Sequence, residues 1–150
     1  PPPSACPFEP AILTGRLPKL VEVLRVIEAW GFQYRTNAFT WIKTNKSEKS
    51  LWSGLGYWTN SNAEICLFAK KGNPKRKSKK VKQVIFAPHG DKFSAKPPQI
   101  RDRIVKLMGD VPRIELFARE KVAGWDAIGN EIDGRDIREA LRALQEEEVA

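Results

Sequence analysis

The chain has 150 residues, 41% of them hydrophobic and 29% charged, and a formal net charge of +8. These values describe one soluble globular domain and exclude a second full one. A chain of this size buries roughly 70% of its unfolded surface and needs neither disulfides nor metal to hold a core, so its two cysteines are no framework. Cys66 sits in an apolar run and reads as a buried free thiol. The longest apolar runs fall far short of the ~18 residues that span a bilayer, and no charged-then-apolar leader opens the chain, so a cytosolic or nuclear protein with no membrane partner is expected.

The positive charge is concentrated. Eight of the thirteen residues at 70–82 are Lys or Arg and none is acidic, while the rest of the chain holds 18 basic and 18 acidic residues. A localised basic run concentrates anions and neutralises phosphates, so DNA or RNA is the natural partner, with a solvated solubility loop as the bland reading.

The first eighteen residues carry six of the eleven prolines, which remove amide donors, so residues 1–10 are expected to be irregular. A short strand at 11–14 ends at Gly15. Pro18 opens a helix whose Leu20, Val23, Leu24, Ile27 and Trp30 form one apolar face, capped by Gly31. The aromatic and β-branched stretch at 33–43 reads as a strand, followed by a loop that carries Trp52, Tyr57 and Trp58, an odd load for a connector. Further strands are expected at 63–70 and 83–87, on either side of the basic run, and all three of these strands are apolar enough to be internal. Pro97 and Pro98 open a helix with Ile100, Ile104 and Leu107 on one face and a stop at Gly109. Strands at 113–118 and 125–128 follow, and residues 135–150 form an amphipathic helix. The pattern predicts an α/β fold with a mostly parallel sheet, whose ligands bind beyond the carboxyl ends of the strands.

A zinc site has no support, because the one histidine, His89, has no neighbouring ligand set. Neither a nucleophile elbow nor a P-loop occurs, so hydrolase chemistry has no motif to stand on. What remains is a set of polar groups at strand ends. Lys43-Thr44-Asn45 follows a strand that ends near Trp41, where amide and ring together suit a base. Lys96 just precedes a helix, a position where a cation implies a bound carboxylate or phosphate. Arg119 and Asn130-Glu131 follow the last two strands, where ribose hydroxyls are commonly gripped.

Taken in order, Trp30-Gly31-Phe32, Trp41-Ile42-Lys43-Thr44-Asn45, Gly54-Leu55-Gly56-Tyr57-Trp58, Asn62-Ala63-Glu64-Ile65-Cys66-Leu67, Lys71-Gly72-Asn73-Pro74, Lys96-Pro97, Ile114-Glu115-Leu116-Phe117-Ala118-Arg119 and Trp125-Asp126-Ala127-Ile128-Gly129-Asn130-Glu131 strongly resemble the adenine N(6)-methyltransferase family. That family includes the eukaryotic mRNA N(6)-methyladenosine writer and smaller phage and bacterial DNA-modifying relatives. The resemblance runs over about four-fifths of the chain, roughly residues 13–134, and a methyltransferase-like domain is expected at 11–134. It implies a Rossmann-like methyltransferase sheet with flanking helices that uses S-adenosylmethionine to methylate the adenine amino group, in DNA rather than RNA given the compact length. By the same resemblance Lys96 lies near the cofactor's methionine carboxylate, and Arg119, Asn130 and Glu131 contact its ribose. Lys43, Asn45, Tyr57 and Trp58 border the target adenine, and Lys75, Arg76, Lys77, Lys79 and Lys80 track the nucleic-acid backbone.

The sequence departs from the family in three places. A carboxylate, Glu131, stands where the compared member has an amide, and Lys121 falls where some relatives carry a histidine. The catalytic Asp-Pro-Pro-Trp is absent from these 150 residues, so no catalytic residue is assigned. In this fold the motif strand lies between the Ile114 and Ala11 strands, so the sheet is expected to lack it and a partner chain is one source of a replacement. The expected alternative to an enzyme is a catalytically silent nucleic-acid-binding subunit beside an active relative.

Overall fold

The computed structural model describes residues 9–15, 17–90 and 95–149. The prolines of residues 1–8, Cys6 and Ser94 lie outside the described residues. The described chain forms two compact units, the first ending at Gly109 and the second starting at Asp110. No helix among the described residues is long and apolar enough to cross a membrane.

The first unit is built on a four-stranded sheet of β1 (Glu9–Gly15), β2 (Gln33–Thr44), β3 (Ala63–Lys71) and β4 (Val84–Pro88), in the order β1-β3-β2-β4. β3 runs antiparallel to both of its neighbours, and β4 is parallel to β2. The sheet is thus mixed, which corrects the expectation of a mostly parallel one. The reason is the connection between β2 and β3, which contains no helix, whereas parallel neighbours need a crossover of a dozen or more residues, usually helical. Among the described residues β4 is also an edge strand, not an internal one, and its alternation fits this: Ile85 and Ala87 are buried while Val84 and Phe86 are exposed.

The two faces of the sheet are covered by different helices. α2 (Pro98–Met108) lays Ile100, Ile104 and Leu107 against Phe39, Trp41, Cys66, Ile85 and Ala87. α1 (Leu20–Ala29) covers the opposite face, with Leu20, Val23, Leu24 and Ile27 against Ala11, Leu13, Leu67 and Ala69. The period-two alternation of β3 sends Cys66 to one layer and Leu67 to the other. Each fully buried large side chain, such as Phe39, Trp41 or Ile85, contributes about 1.5–3 kcal/mol. α1 ends as its sequence requires. Gly31 takes φ +76°, Phe32 N–H donates to Ile27 O at 3.0 Å and Gly31 N–H to Glu28 O at 2.9 Å, while Ile27 and Phe32 share one apolar cluster.

The second unit contains β5 (Ile114–Leu116) and β6 (Asp126–Ile128), a parallel pair, followed by α3 (Asn130–Asp133) and α4 (Ile137–Val149). Arg113 holds its start, pairing with Asp110 at 2.9 Å and lying 5.5 Å over the Trp125 ring. Among the described residues β1 pairs only with β3, and β5 only with β6. A mixed α/β architecture with flanking helices is what the structure shows.

Candidate functional site

The parallel pair β2 and β4 sets Thr40 opposite Val84 and Thr44 opposite Pro88, so their carboxyl ends open on the same side. Because β3 is antiparallel, its first residues arrive at that same end, and Trp41 stands opposite Glu64. Three charged side chains converge there. Lys43 Nζ lies 2.7 Å from Glu64 Oε1, and Lys96 Nζ lies 2.9 Å from Glu64 Oε2. The Lys43 and Glu64 side chains are 8% and 7% exposed, Lys96 23%. Burial alone would push the Glu64 carboxyl up, but the hydrogen bonds from the two lysines outweigh it and hold Glu64 below the usual carboxylate range. The chain itself thus supplies a carboxylate to Lys96.

Aromatic rings wall the cluster. Lys43 Nζ lies 5.1 Å from the Trp41 ring centroid and 5.4 Å from that of Trp52, within cation–π range. Trp52 stacks on His89 with centroids 4.1 Å apart and planes 7° from parallel. Trp41 Nε1 donates to Ala87 O at 2.9 Å, which fixes the ring over the parallel pair. The Lys43 main chain is held on both sides, its N–H donating to Asn62 O at 2.8 Å and its carbonyl accepting from Trp52 N–H at 2.9 Å. Thr44 Oγ1, next along the chain, is buried with no hydrogen-bond partner, a deficit that ordinarily costs ~1–3 kcal/mol. Such a group at the mouth of a charged cluster suits a polar ligand. Cys66, on the same face, is pushed up to about 12 by burial and is an inert thiol, as its apolar run suggested.

The other residues expected at the adenine lie on the connection at 45–62. Asn45 Nδ2 donates to Ser50 Oγ at 2.5 Å and its Oδ1 accepts from Ser47 Oγ at 2.9 Å, so this side chain organises the turn. Paired main-chain bonds between Gly54 and Ser61, at 3.1 and 2.8 Å, close a second, outer turn. Tyr57 and Trp58 stand on it almost fully exposed, with Leu55. Lys43 is brought to the buried cluster, while Tyr57 and Trp58 are held out in solvent. Lys75, Arg76, Lys77, Lys79 and Lys80 are exposed on an irregular path between β3 and β4.

In the second unit, Arg119 and Glu131 meet at 3.3 Å, both partly exposed, with Asn130 beside them at the start of α3. The strand ends that carry them are tightly joined. Ala118 N–H donates to Ile128 O at 2.9 Å, and a Cβ on Gly129 would fall 2.2 Å from Ala118 O, so only glycine fits. Phe117, just before this contact, holds φ +59° with its ring exposed. A left-handed conformation in a bulky residue costs roughly 1–3 kcal/mol, and such strain collects at ligand sites. A carboxylate, an amide and a guanidinium on a rigid turn fit a polyol such as a ribose, whose hydroxyls donate and accept.

Two members of these sites carry little signal in the sequence. Glu64 shows only as the one acidic residue of β3, at the head of the apolar stretch 65–69, the pattern of a charge buried with a partner. The left-handed backbone of Phe117 has no sequence signature.

The chain is a mixed α/β protein with buried charge gathered at the carboxyl ends of a parallel strand pair, the place where ligands bind in open α/β sheets. Residues 14–131 match the MT-A70 family. The chain is 34% identical over 122 residues to the Type II methyltransferase M.MunI of Mycoplasma sp, an overlap of 80% of this chain and 49% of that protein. The chain thus belongs to the MT-A70 family of adenine methyltransferases. It spans about half the length of that curated relative.

Proposed function

We propose that the chain serves the S-adenosylmethionine-dependent methylation of the adenine exocyclic amino group, with DNA as the nucleic acid. The observation that carries this reading is the buried Lys43–Glu64–Lys96 cluster, which lies in the family-matched span at the strand ends where α/β proteins bind ligands. The cofactor supplies an electrophilic methyl group through its sulfonium, and the protein's task is to bind and orient. Lys96 is assigned to the methionine carboxylate, with Glu64 fixing its ammonium. Arg119, Asn130 and Glu131 are assigned to ribose hydroxyls. Glu131 Oε1 faces Arg119 at 3.3 Å.

Lys43, Asn45, Tyr57 and Trp58 are assigned to the border of the target base. The exposed Tyr57 and Trp58 rings supply stacking surface of the kind that holds an unpaired base, and Lys75, Arg76, Lys77, Lys79 and Lys80 to the phosphate backbone. Membership in a methyltransferase family and the relative's printed activity both support the reading.

Calorimetric titration of the chain with S-adenosylmethionine, followed by methyl-transfer assays on adenine-containing DNA, tests it. Cofactor binding with transfer supports the enzyme. Binding of DNA without transfer, which the absence of Asp-Pro-Pro-Trp from these 150 residues makes a real outcome, supports the silent subunit. Binding of neither overturns both.

A further inference from the structure

The basic run begins on the last two residues of β3, and beyond Lys71 it has no regular secondary structure up to residue 82, yet its path is fixed at several points. Lys77 N–H donates to Leu107 O at 2.7 Å, giving a partner to one of the carbonyls that the carboxyl end of α2 leaves open. The Lys77 side-chain carbons lie across Gly109, where a Cβ would come 2.8 Å from Lys77 Cγ. Val81 packs into the apolar layer beneath α2 alongside Ile104 and Leu107. Arg103, one turn earlier on α2, donates through Nη1 to Lys82 O and to Val84 O at 2.8 Å. From the other side Gln83 Nε2 donates to Asn37 O at 2.8 Å, and Thr40 N–H to Gln83 O at 3.1 Å.

A solubility loop needs none of these anchors. Two carbonyls turned toward one guanidinium leave the charge of Arg103 spent on holding backbone, while Lys75, Arg76, Lys79 and Lys80 stay exposed between the anchors. A strip ordered before binding spares the entropy of ordering it on the ligand. We propose that Arg103 and the Lys77 amide are positioning groups that hold residues 75–82 on a fixed path, so that Lys75, Arg76, Lys79 and Lys80 meet the phosphates of a DNA duplex as a preformed strip. This rests on the nucleic-acid reading given above.

The test measures binding of a short DNA duplex by the whole chain over a salt series. A strip variant, Lys75→Gln with Arg76→Gln, Lys79→Gln and Lys80→Gln, is expected to shallow the salt slope by about three to four units. Arg103→Ala is expected to weaken binding roughly tenfold at every salt concentration, the cost of ordering about one more residue. Its slope stays that of the parent, and it adds nothing on top of the strip variant.

An unchanged slope in the strip variant removes the nucleic-acid reading of the segment and this inference together. A normal slope change in the strip variant removes the inference alone if Arg103→Ala binds like the parent, weakens both backgrounds equally, or lowers the slope by about 0.9 as a direct phosphate contact would. A second pair guards against misfolding. Lys77→Pro deletes the anchoring amide and Lys77→Gln keeps it, so Lys77→Pro is expected to bind roughly tenfold more weakly than Lys77→Gln, and equal binding by the two overturns the role of that anchor.

Discussion

Lys43 and Glu64, on adjacent antiparallel strands, meet at 2.7 Å with both side chains more than nine-tenths buried. Their attraction has to offset the loss of hydration of both ions, so the net stabilisation of the intact pair is small. Removing one partner is different. Glu64→Ala leaves the buried Lys43 ammonium without the carboxylate it pairs with, and a loss of about 3–5 kcal/mol is expected in urea unfolding. Joint replacement of the pair, Lys43→Met with Glu64→Leu, is expected to cost less than Glu64→Ala alone, and a larger cost would show that the charges themselves hold the fold.

The same cluster sets an acid limit. Glu64 is held below its ordinary value of 4.5, burial being outweighed by the two lysine hydrogen bonds. A carboxyl depressed in the folded state contributes its stability above the unfolded value and loses it as pH falls through the folded one. The melting-temperature difference between the parent and Glu64→Gln is therefore expected to be constant at neutral pH and to shrink below pH 4.5. A difference that stays constant to lower pH would detach Glu64 from acid unfolding.

Much of this fold is legible in the sequence, and the exceptions have identifiable causes. The apolar spacing at Ile100, Ile104 and Leu107 marks the buried face of α2, and the prolines and Gly109 mark its ends. The direction of β3 is also encoded, since no helix separates it from β2, but a strand–helix count that overlooks this connection yields a parallel sheet. The two bulges in β2, between Tyr34 and Thr36 and between Asn37 and Phe39, are invisible to a period-two reading. At the candidate site Lys43 and Lys96 stand out by position. Their shared partner Glu64 does not, because the pairing spans residues distant in sequence that only the antiparallel return of β3 brings together. The stack of Trp52 on His89 is hidden for the same reason.

Phe117 offers a trade between stability and binding. Its φ of +59° is costly for phenylalanine and ordinary for glycine, so Phe117→Gly is expected to leave stability unchanged or raise it by up to ~1 kcal/mol. If the exposed ring faces the cofactor, calorimetry on the same variant shows weaker S-adenosylmethionine binding. Unaltered affinity would remove Phe117 from the site.

Alanine at Lys96, Arg119 or Asn130 is expected to weaken S-adenosylmethionine binding by roughly 1–3 kcal/mol, the range for losing one buried polar contact. Arg119 and Asn130 are partly exposed or at a surface turn, so their variants are expected to keep the parental melting temperature. Full affinity in any of the three removes that residue from the assignment.

Cys66 provides a fold reporter. With its pKa pushed up to about 12 by burial, it holds almost no thiolate at neutral pH and is expected to resist alkylation in a Cys6→Ser background until urea unfolds the chain. Rapid labelling of the native protein would show that the layer under α2 opens readily.

The placement of Glu64 also bears on how the sheet assembles. β3 is flanked on both sides, and its alternate residues serve two different apolar layers. A slip of one position against β2 would turn Glu64 from the lysines into the layer of Leu67 and Ala69, and would carry Ile65 into the ionic pocket. Hydrophobic patterning penalises such a slip weakly, because both faces of β3 are apolar, whereas stranding a carboxylate among aliphatic side chains penalises it severely. One acidic residue thus acts as a proofreader of strand alignment, rejecting mispaired sheets that the apolar residues alone would tolerate.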